Sequence, residues 1–415
     1  MPRTNLAALA FLLLGCATTT RQTAIVAANG VEYRGGLWFD GTRFVATTMY
    51  VVDGVFRARA PGHVDSVVDL AGGYVVPPFA DAHQHLVDPR IDQVIRAQLG
   101  DGIFYIQDQG NTPFLRRIID PLLNTPISLD FISANQGWTS PGGHPVEVVK
   151  RGAAMGGPMA ILIRDSLDPG FVMQVESVSD IQQRWPYFLA GKPDFVKVYL
   201  LRSEDYDRTR NQPAPEGRRG IDPALVPEIV RLARTAGLGV SAHVYTAADF
   251  RTAVNGGVQL IAHLPGGRGA DSLYVLTDAD AANAARKGVT VITTVTQHQD
   301  SALLERLLHT QYATNIAVLR RHHVPLLIGS DLIGGSAVTE IAALARSGLF
   351  TNLELLRMWS VTTPRAIFPA RRIGRLEEGY EASFLVLRAD PLQDITATRA
   401  IALRVKCGVA VPMSP

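Results

Sequence analysis

Eight apolar runs with the length of buried strands recur through this 415-residue chain, beginning at Val75, Ile103, Leu129, Phe195, Val240, Leu260, Val289 and Pro325. Helix-like stretches follow most of them, among them residues 223–235, 247–255, 279–287 and 301–321. A parallel return between strands needs a crossover long enough to hold a helix, so this alternation points to a parallel sheet covered by helices. Eight such units over about 290 residues favour an α/β fold of the (β/α)8 TIM barrel type over an open doubly wound sheet.

The pattern changes near both ends. Gly35 to Gly41 reads as a strand entering an Asp-Gly turn, and Tyr50 to Phe56 as two apolar runs joined at Asp53-Gly54, a hairpin signal. Ser383 to Leu387 and Ile401 to Val405 are strand-like as well. The two groups are expected to meet as a small β-sandwich domain, residues 24–74 and 375–415, beside a barrel spanning 75–374. Residues 203–220 are polar, with Pro and Arg, and follow the fourth strand; a mobile loop over the barrel mouth is expected there.

The first residues tell of export. Arg3 supplies a positive start, Leu6 to Leu14 an apolar stretch too short to span a bilayer, and Leu13-Leu14-Gly15-Cys16 resembles a bacterial lipoprotein cleavage box. Removal of 1–15, lipidation of Cys16 and a polar tether over 16–23 are the expectation, with the protein held at the cell envelope by that anchor alone. The plainer reading is an ordinary secretory signal in which Cys16 is incidental. Cys407 then has no partner for an intrachain disulfide. A net charge of +2 gives no reason to expect nucleic acid. A homo-oligomer is compatible with the sequence and not argued by it.

Chemistry-bearing side chains fall at the carboxyl ends of the expected strands. His83 and His85 close the first run, and alternate residues of a strand aim at one point. Lys197 lies in the fourth, His243 follows the fifth, His263 the sixth, and Asp331 the eighth. In a barrel of this type that face carries the site, so six residues remote in sequence converge.

This set resembles the amidohydrolase superfamily, whose pattern is His-x-His on strand one, Lys on four, His on five and six, and Asp on eight. Gly374-Arg375-Leu376, Glu378-Gly379-Tyr380-Glu381-Ala382 and Asp390-Pro391 resemble the family's C-terminal sheet segment, with Ser383 where Asp is usual. The similarity runs from about residue 24 to 412. Ser140-Pro141-Gly142-Gly143-His144 and His243-Val244-Tyr245 resemble the imidazolonepropionase-like group that includes Xaa-Pro dipeptidases. The resemblance implies two divalent ions, zinc being the expected metal. His83, His85 and Asp331 would hold one, His243 and His263 the other, with Lys197 carboxylated by CO2 between them. It further implies that Asp331 takes a proton from a bridging hydroxide and passes it to the leaving amine, that Tyr245 donates to the developing oxyanion, and that His144 contacts substrate.

The residue types suit this. Zinc accepts imidazole nitrogen and carboxylate oxygen, and a lysine ammonium beside cations is driven toward its neutral form, able to capture CO2. The bland readings are an N-cap for Asp331, an ion pair with Asp194 for Lys197, packing for Tyr245 and a surface loop for His144. His63, His298, His309, His322 and His323 read as structural or solvated, and Pro265-Gly266-Gly267 as a turn and not a phosphate loop. A hydrolase of an amide-type C–N bond is expected, on a dipeptide such as Xaa-Pro or an N-acyl amino acid. A cyclic amide, lactone or other ester is the alternative on the same centre. A mononuclear deaminase is disfavoured because no acid follows His243 or His263, and a non-catalytic surface lipoprotein because no ligand is missing.

Overall fold

The computed structural model describes residues 30–163, 170–210, 217, 219–298 and 300–412. The expected leader, Cys16 and the tether lie outside the described residues. In chain order the strands are β1 (Val31–Phe39), β2 (Phe44–Val52), β3 (Val55–Arg57), β4 (Ser66–Asp69) and β5 (Tyr74–Val76). Then come β6 (Phe79–Gln84), β7 (Ile103–Asp108), β8 (Asp130–Ser133), β9 (Gly137–Thr139) and β10 (Val172–Gln174). They are followed by β11 (Val196–Tyr199), β12 (Val240–His243), β13 (Leu260–Ile261), β14 (Thr290–Ile292) and β15 (Leu326–Leu327). The last are β16 (Phe384–Leu387), β17 (Ile401–Lys406) and β18 (Val409–Ala410).

Strands from both ends of the chain share one eight-stranded sheet, ordered β18-β17-β16-β5-β1-β2-β3 with β4 on β1. The β2–β3 hairpin turns at Asp53 and Gly54, with φ of 52° and 74°, the left-handed pair that matches strand twist. Trp38, Phe56 and Phe384 pack edge and face within 5.9 Å of one another over this sheet, in a core separate from the main one.

The run expected as the first barrel strand is cut by Pro77-Pro78, which offer no N–H to a ladder. Tyr74–Val76 therefore pair with β1 and β16, and the barrel strand begins at Phe79, four residues later than expected. Its parallel partners follow in the order β6-β7-β8, then β9-β11-β12-β13-β14-β15. The third expected run is broken at Asn135, where φ is 54°. The expected strand, β8, holds β7, and a further short strand past the break, β9, holds β11. Beyond the expected eight, β10 pairs with the outer side of β9. At the other end of the series Ala82 N–H donates to Ile328 O at 2.9 Å and Asp331 N–H to His83 O at 2.7 Å, tying β6 to the residues after β15.

The helices between strands follow the sequence signals with one exception. Thr246 and Asp249 form a capping box before Ala247–Gly256, as do Thr277 and Asp280 before Asp278–Arg286. The helix expected over 301–321 breaks at Thr310 (φ −127°, ψ −96°) into Ser301–His309 and Gln311–Arg321. The break turns Gln311 inward, where its side chain bonds both the N–H and the carbonyl of Gly267. In the polar segment after β11, Ser203–Asp205 and Tyr206–Thr209 are helical turns; 211–216 and 218 lie outside the described residues.

Candidate active site

Five of the six chemistry-bearing residues sit at or past the carboxyl end of their strands, and Lys197 lies within its strand. His83 is on β6 and His85 one residue beyond it; Lys197 is on β11 and His243 ends β12; His263 and Asp331 follow β13 and β15. His83 Nε2 and His85 Nε2 both lie 3.2 Å from Asp331 Oδ1, and His263 Nδ1 lies 3.9 Å from Asp331 Oδ2. The imidazoles form a chain of ring contacts, His83–His263 at 4.6 Å, His263–His243 at 4.4 Å and His243–His144 at 4.3 Å. One ligand atom from each of His83, His263 and Asp331 falls within 4.8 Å of the others, the span of a single ion's donors.

Hydrogen bonds on the far side of the rings set their orientation. A carbonyl only accepts, so His83 Nδ1–H donates to Ala262 O at 3.0 Å and His85 Nδ1–H to Gly110 O at 3.2 Å. In both the lone pair is left on Nε2, facing Asp331, as a metal ligand requires. His263 Nδ1 is 2.9 Å from the Thr294 hydroxyl. Among the described residues His243 Nε2 is buried and has no hydrogen-bond partner, an expensive state for a polar atom unless something else binds it. A buried orphan nitrogen beside neutral imidazoles and a carboxylate fits a cation.

The electrostatics agree with that fit. Burial pushes His83 down to about 4 against the pull of Asp331, and pushes His144 to about 4. Burial also holds His243 and His263 well below the ordinary histidine range. Burial pulls Lys197 down to about 7. For Asp331 burial acts upward, yet His83, His85 and His263 together hold its carboxyl well below the usual range. His85 goes the other way: against its burial, the Asp331 carboxylate raises it above the ordinary histidine range. The neutral nitrogens of His83, His243 and His263 beside an ionised carboxylate are the protonation states from which metals bind. Asp331 also adopts φ of 53°, a left-handed conformation that Asp tolerates better than most residues. Backbone strain of this kind collects at functional sites.

The bland alternatives can be compared directly. The helix after Asp331 starts only at Val338, so Asp331 does not cap it. Asp194 accepts from Ser133 N–H and lies near Arg116, while Lys197 donates to Gln109. His144 is drawn into the group, stacked on His243 at 29° between planes. Tyr245 is seated differently. Its ring meets Tyr274 at 5.4 Å, and its hydroxyl lies over Gly267, where any Cβ would collide with it. The glycine of Pro265-Gly266-Gly267 is thus a bed for a tyrosine.

Several supporting residues had no place in the expected set. Gln109 and Ser241 bond around Lys197, Asp81 ties β6 to Ser330, and Thr294 fixes His263. Asp249 accepts the N–H groups of Arg202, Ser203, Tyr245 and Thr246, binding the two loops beyond β11 and β12 together. Gln109 carried a usable signal, a polar residue at the end of the second strand on the face where barrels place their chemistry. Asp81, two residues before His83 on the same strand, carried another.

A model of the amidohydrolase family matches residues 196–409. That span includes Lys197, His243, His263 and Asp331. Among curated proteins, an uncharacterized protein of Mycobacterium tuberculosis is 41% identical over 78 residues. The match covers 16% of this chain and only 13% of that protein. Solved structures resemble the whole fold. They include A. niger ochratoxinase (TM-score 0.72, 17% identity, 92% of this chain and 95% of that one). A prolidase complexed with N-methylphosphonate-L-proline gives 0.71 at 16%, covering 93% and 100%. Phenylurea hydrolase B gives 0.70 at 18%, covering 92% and 97%. At these identities the likeness is one of fold.

Proposed function

The chain belongs to the amidohydrolase family, and from that premise we propose a metal-dependent hydrolase of carbon–nitrogen bonds, acting on a dipeptide such as Xaa-Pro or on an N-acyl amino acid. The observation that carries the reading is the convergence of His83, His85, His263 and Asp331 around one point, with the orphan Nε2 of His243 and buried Lys197 beside it. His83, His85 and Asp331 would hold one divalent ion, His243 and His263 a second, and carboxylated Lys197 would lie between. The bound ions, zinc being the expected metal, supply a Lewis acid for the scissile carbonyl and a water made acidic near neutral pH.

The chain's own residues do the rest. Asp331, ionised and at the centre of the group, takes the proton of the attacking water and returns it to the departing nitrogen. His144, stacked on His243, contacts substrate. Tyr245 donates to the carbonyl oxygen once its hydroxyl turns from its seat over Gly267. The prolidase solved with a phosphonate-proline ligand and the phenylurea hydrolase support an amide-type substrate. The reading includes a closed (β/α)8 barrel over 75–374, a small β-sandwich from 24–74 and 375–415, and export on a lipid anchor at Cys16.

Elemental analysis of the purified protein, followed by a screen of dipeptides and N-acyl amino acids, tests it. About two ions per chain with amine release from an amide supports the reading. One ion with ammonia release points to a deaminase, and a metal-free protein that turns over the same amides refutes the metal role.

A further inference from the structure

We propose that Gln109 is a positioning residue for Lys197: its amide oxygen holds the single N–H that a carboxylated lysine keeps, and so fixes which way the new carboxylate points. The inference rests on the reading of Lys197 as a carbamate.

Gln109 is fully buried, and its side chain touches three strands that carry proposed ligands. Nε2 donates to Ala82 O at 3.0 Å, on the residue before His83. Oε1 accepts from Lys197 Nζ at 3.1 Å and from Ser241 Oγ at 2.8 Å, two residues before His243. Its own N–H donates to Gln84 O at 3.0 Å. The orientation of the amide is therefore forced. A carbonyl oxygen can be met only by the NH2 end, so the oxygen end must face Lys197. Among the described residues Lys197 forms no ion pair, and Gln109 is its hydrogen-bond acceptor.

Carboxylation forms one N–C bond between Nζ and the carbon of CO2 and releases one Nζ proton to solvent. The product is a planar nitrogen bearing Cε, one hydrogen and the carboxylate. In a buried site that remaining N–H needs an acceptor, since an unsatisfied donor is costly. With Cε fixed by β11 and the N–H fixed on Gln109 Oε1, planarity leaves the carboxylate one direction, away from the Gln109 amide. Ser241, the second donor to the same oxygen, helps hold the amide in place and makes no bond to the carbamate.

The test is 13C NMR of the purified protein equilibrated with 13C-bicarbonate, following the carbamate carbon, with metal content measured on the same samples. In Gln109→Leu the half-saturating bicarbonate concentration should rise about tenfold, the effect of one hydrogen bond of ordinary net strength, and metal content should fall with it. Gln109→Glu keeps the shape but pairs with the lysine ammonium, and should suppress the signal even if the leucine variant folds poorly. Ser241→Ala should retain the signal. An unchanged bicarbonate dependence in both Gln109 variants overturns the role of Gln109 while leaving the carbamate standing. No carbamate signal in the unmutated protein overturns the reading of Lys197, and this inference with it.

Discussion

One oxygen of the buried Asp81 carboxylate accepts the backbone N–H groups of both His83 and Ser330 at 3.0 Å, while the other accepts the Ser330 hydroxyl at 2.6 Å. Asp81 thereby clamps the first barrel strand to the residue before Asp331, and the separation of His83 from Asp331 depends on it. Asp81→Ala strands two buried N–H groups and a hydroxyl, and should cost about 2–4 kcal/mol. Asp81→Asn keeps an accepting oxygen for the two N–H groups and should cost less. Denaturant midpoints of the two variants check this. An alanine variant as stable as the parent, with unchanged metal content, would remove Asp81 from the role.

Gly329 lies at the same seam. A Cβ there would fall 2.5 Å from Ile292 Cγ2, 2.8 Å from His83 Cβ and 2.9 Å from His83 N, and the last of these is backbone that cannot swing aside. Gly329→Ala should destabilise by about 1–3 kcal/mol through overpacking. Because the atom pushed is His83 itself, metal retention should drop by more than for an equally destabilising core variant elsewhere, which equilibrium dialysis can measure.

Asp331→Asn separates holding from proton transfer. The amide retains an oxygen for a cation but cannot accept a proton from water. A fall in kcat of about 10²–10⁴-fold with metal content near that of the parent is expected. An active variant would take Asp331 out of the proton path.

Much of this arrangement was legible because two periodicities agree. Apolar runs of strand length located β6, β7, β8, β11, β12, β13, β14 and β15, and the barrel rule placed His83, Lys197, His243, His263 and Asp331 at one face. Three features were not legible. β9 and β10 are three residues each, too short for any alternation to show. The break at Thr310 is hidden because buried Leu303, Leu304 and Leu307 before it and Tyr312, Ile316 and Leu319 after it read as one apolar helix. Gln109 bonds Lys197 and Ser241 across 88 and 132 residues; its place after the second strand marks it as polar on the site face, but which side chains it joins is not legible. The run from Val75 to His85 was read as one strand because its apolar character continues across Pro77-Pro78; only the missing N–H groups divide it between two sheets.

The two sheets are joined by a buried charge network, and it should be fragile to single changes. Lys406, 1% exposed at the end of β17, donates to Thr125 O, Ser128 O and Asp130 Oδ1, the last at 2.6 Å. Asp130 Oδ2 accepts from Arg371, whose guanidinium also forks onto Glu381. Lys406→Met leaves two carbonyls and a carboxylate short of their donor and should cost about 3–5 kcal/mol. Lys406→Met combined with Asp130→Asn should cost less than the sum of the two single changes, since neither charge is then left without its partner. Strict additivity of the midpoints would mean the pair is not coupled.

Glu340 gives the stability a pH dependence with a definite sign. It is fully buried in the helix Val338–Arg346, with Oε1 accepting from Val295 N–H and Oε2 from the N–H and hydroxyl of Thr296. Burial raises its carboxyl from 4.5 to about 7 against the pull of those bonds. Between these values the unfolded chain has lost the proton and the folded chain still holds it. The folded state therefore binds more protons, and its stability falls as pH rises through the window, then levels off above about 7. Glu340→Gln cannot ionise in either state. The stability of the parent relative to this variant should decline by on the order of 3 kcal/mol from pH 4.5 to 7, whatever the fixed cost of the amide. Unfolding free energies of both proteins across pH 4.5 to 7.5, the range spanning that window, decide the matter: a gap that stays constant means Glu340 is ionised in the folded protein, and its three donors outweigh its burial.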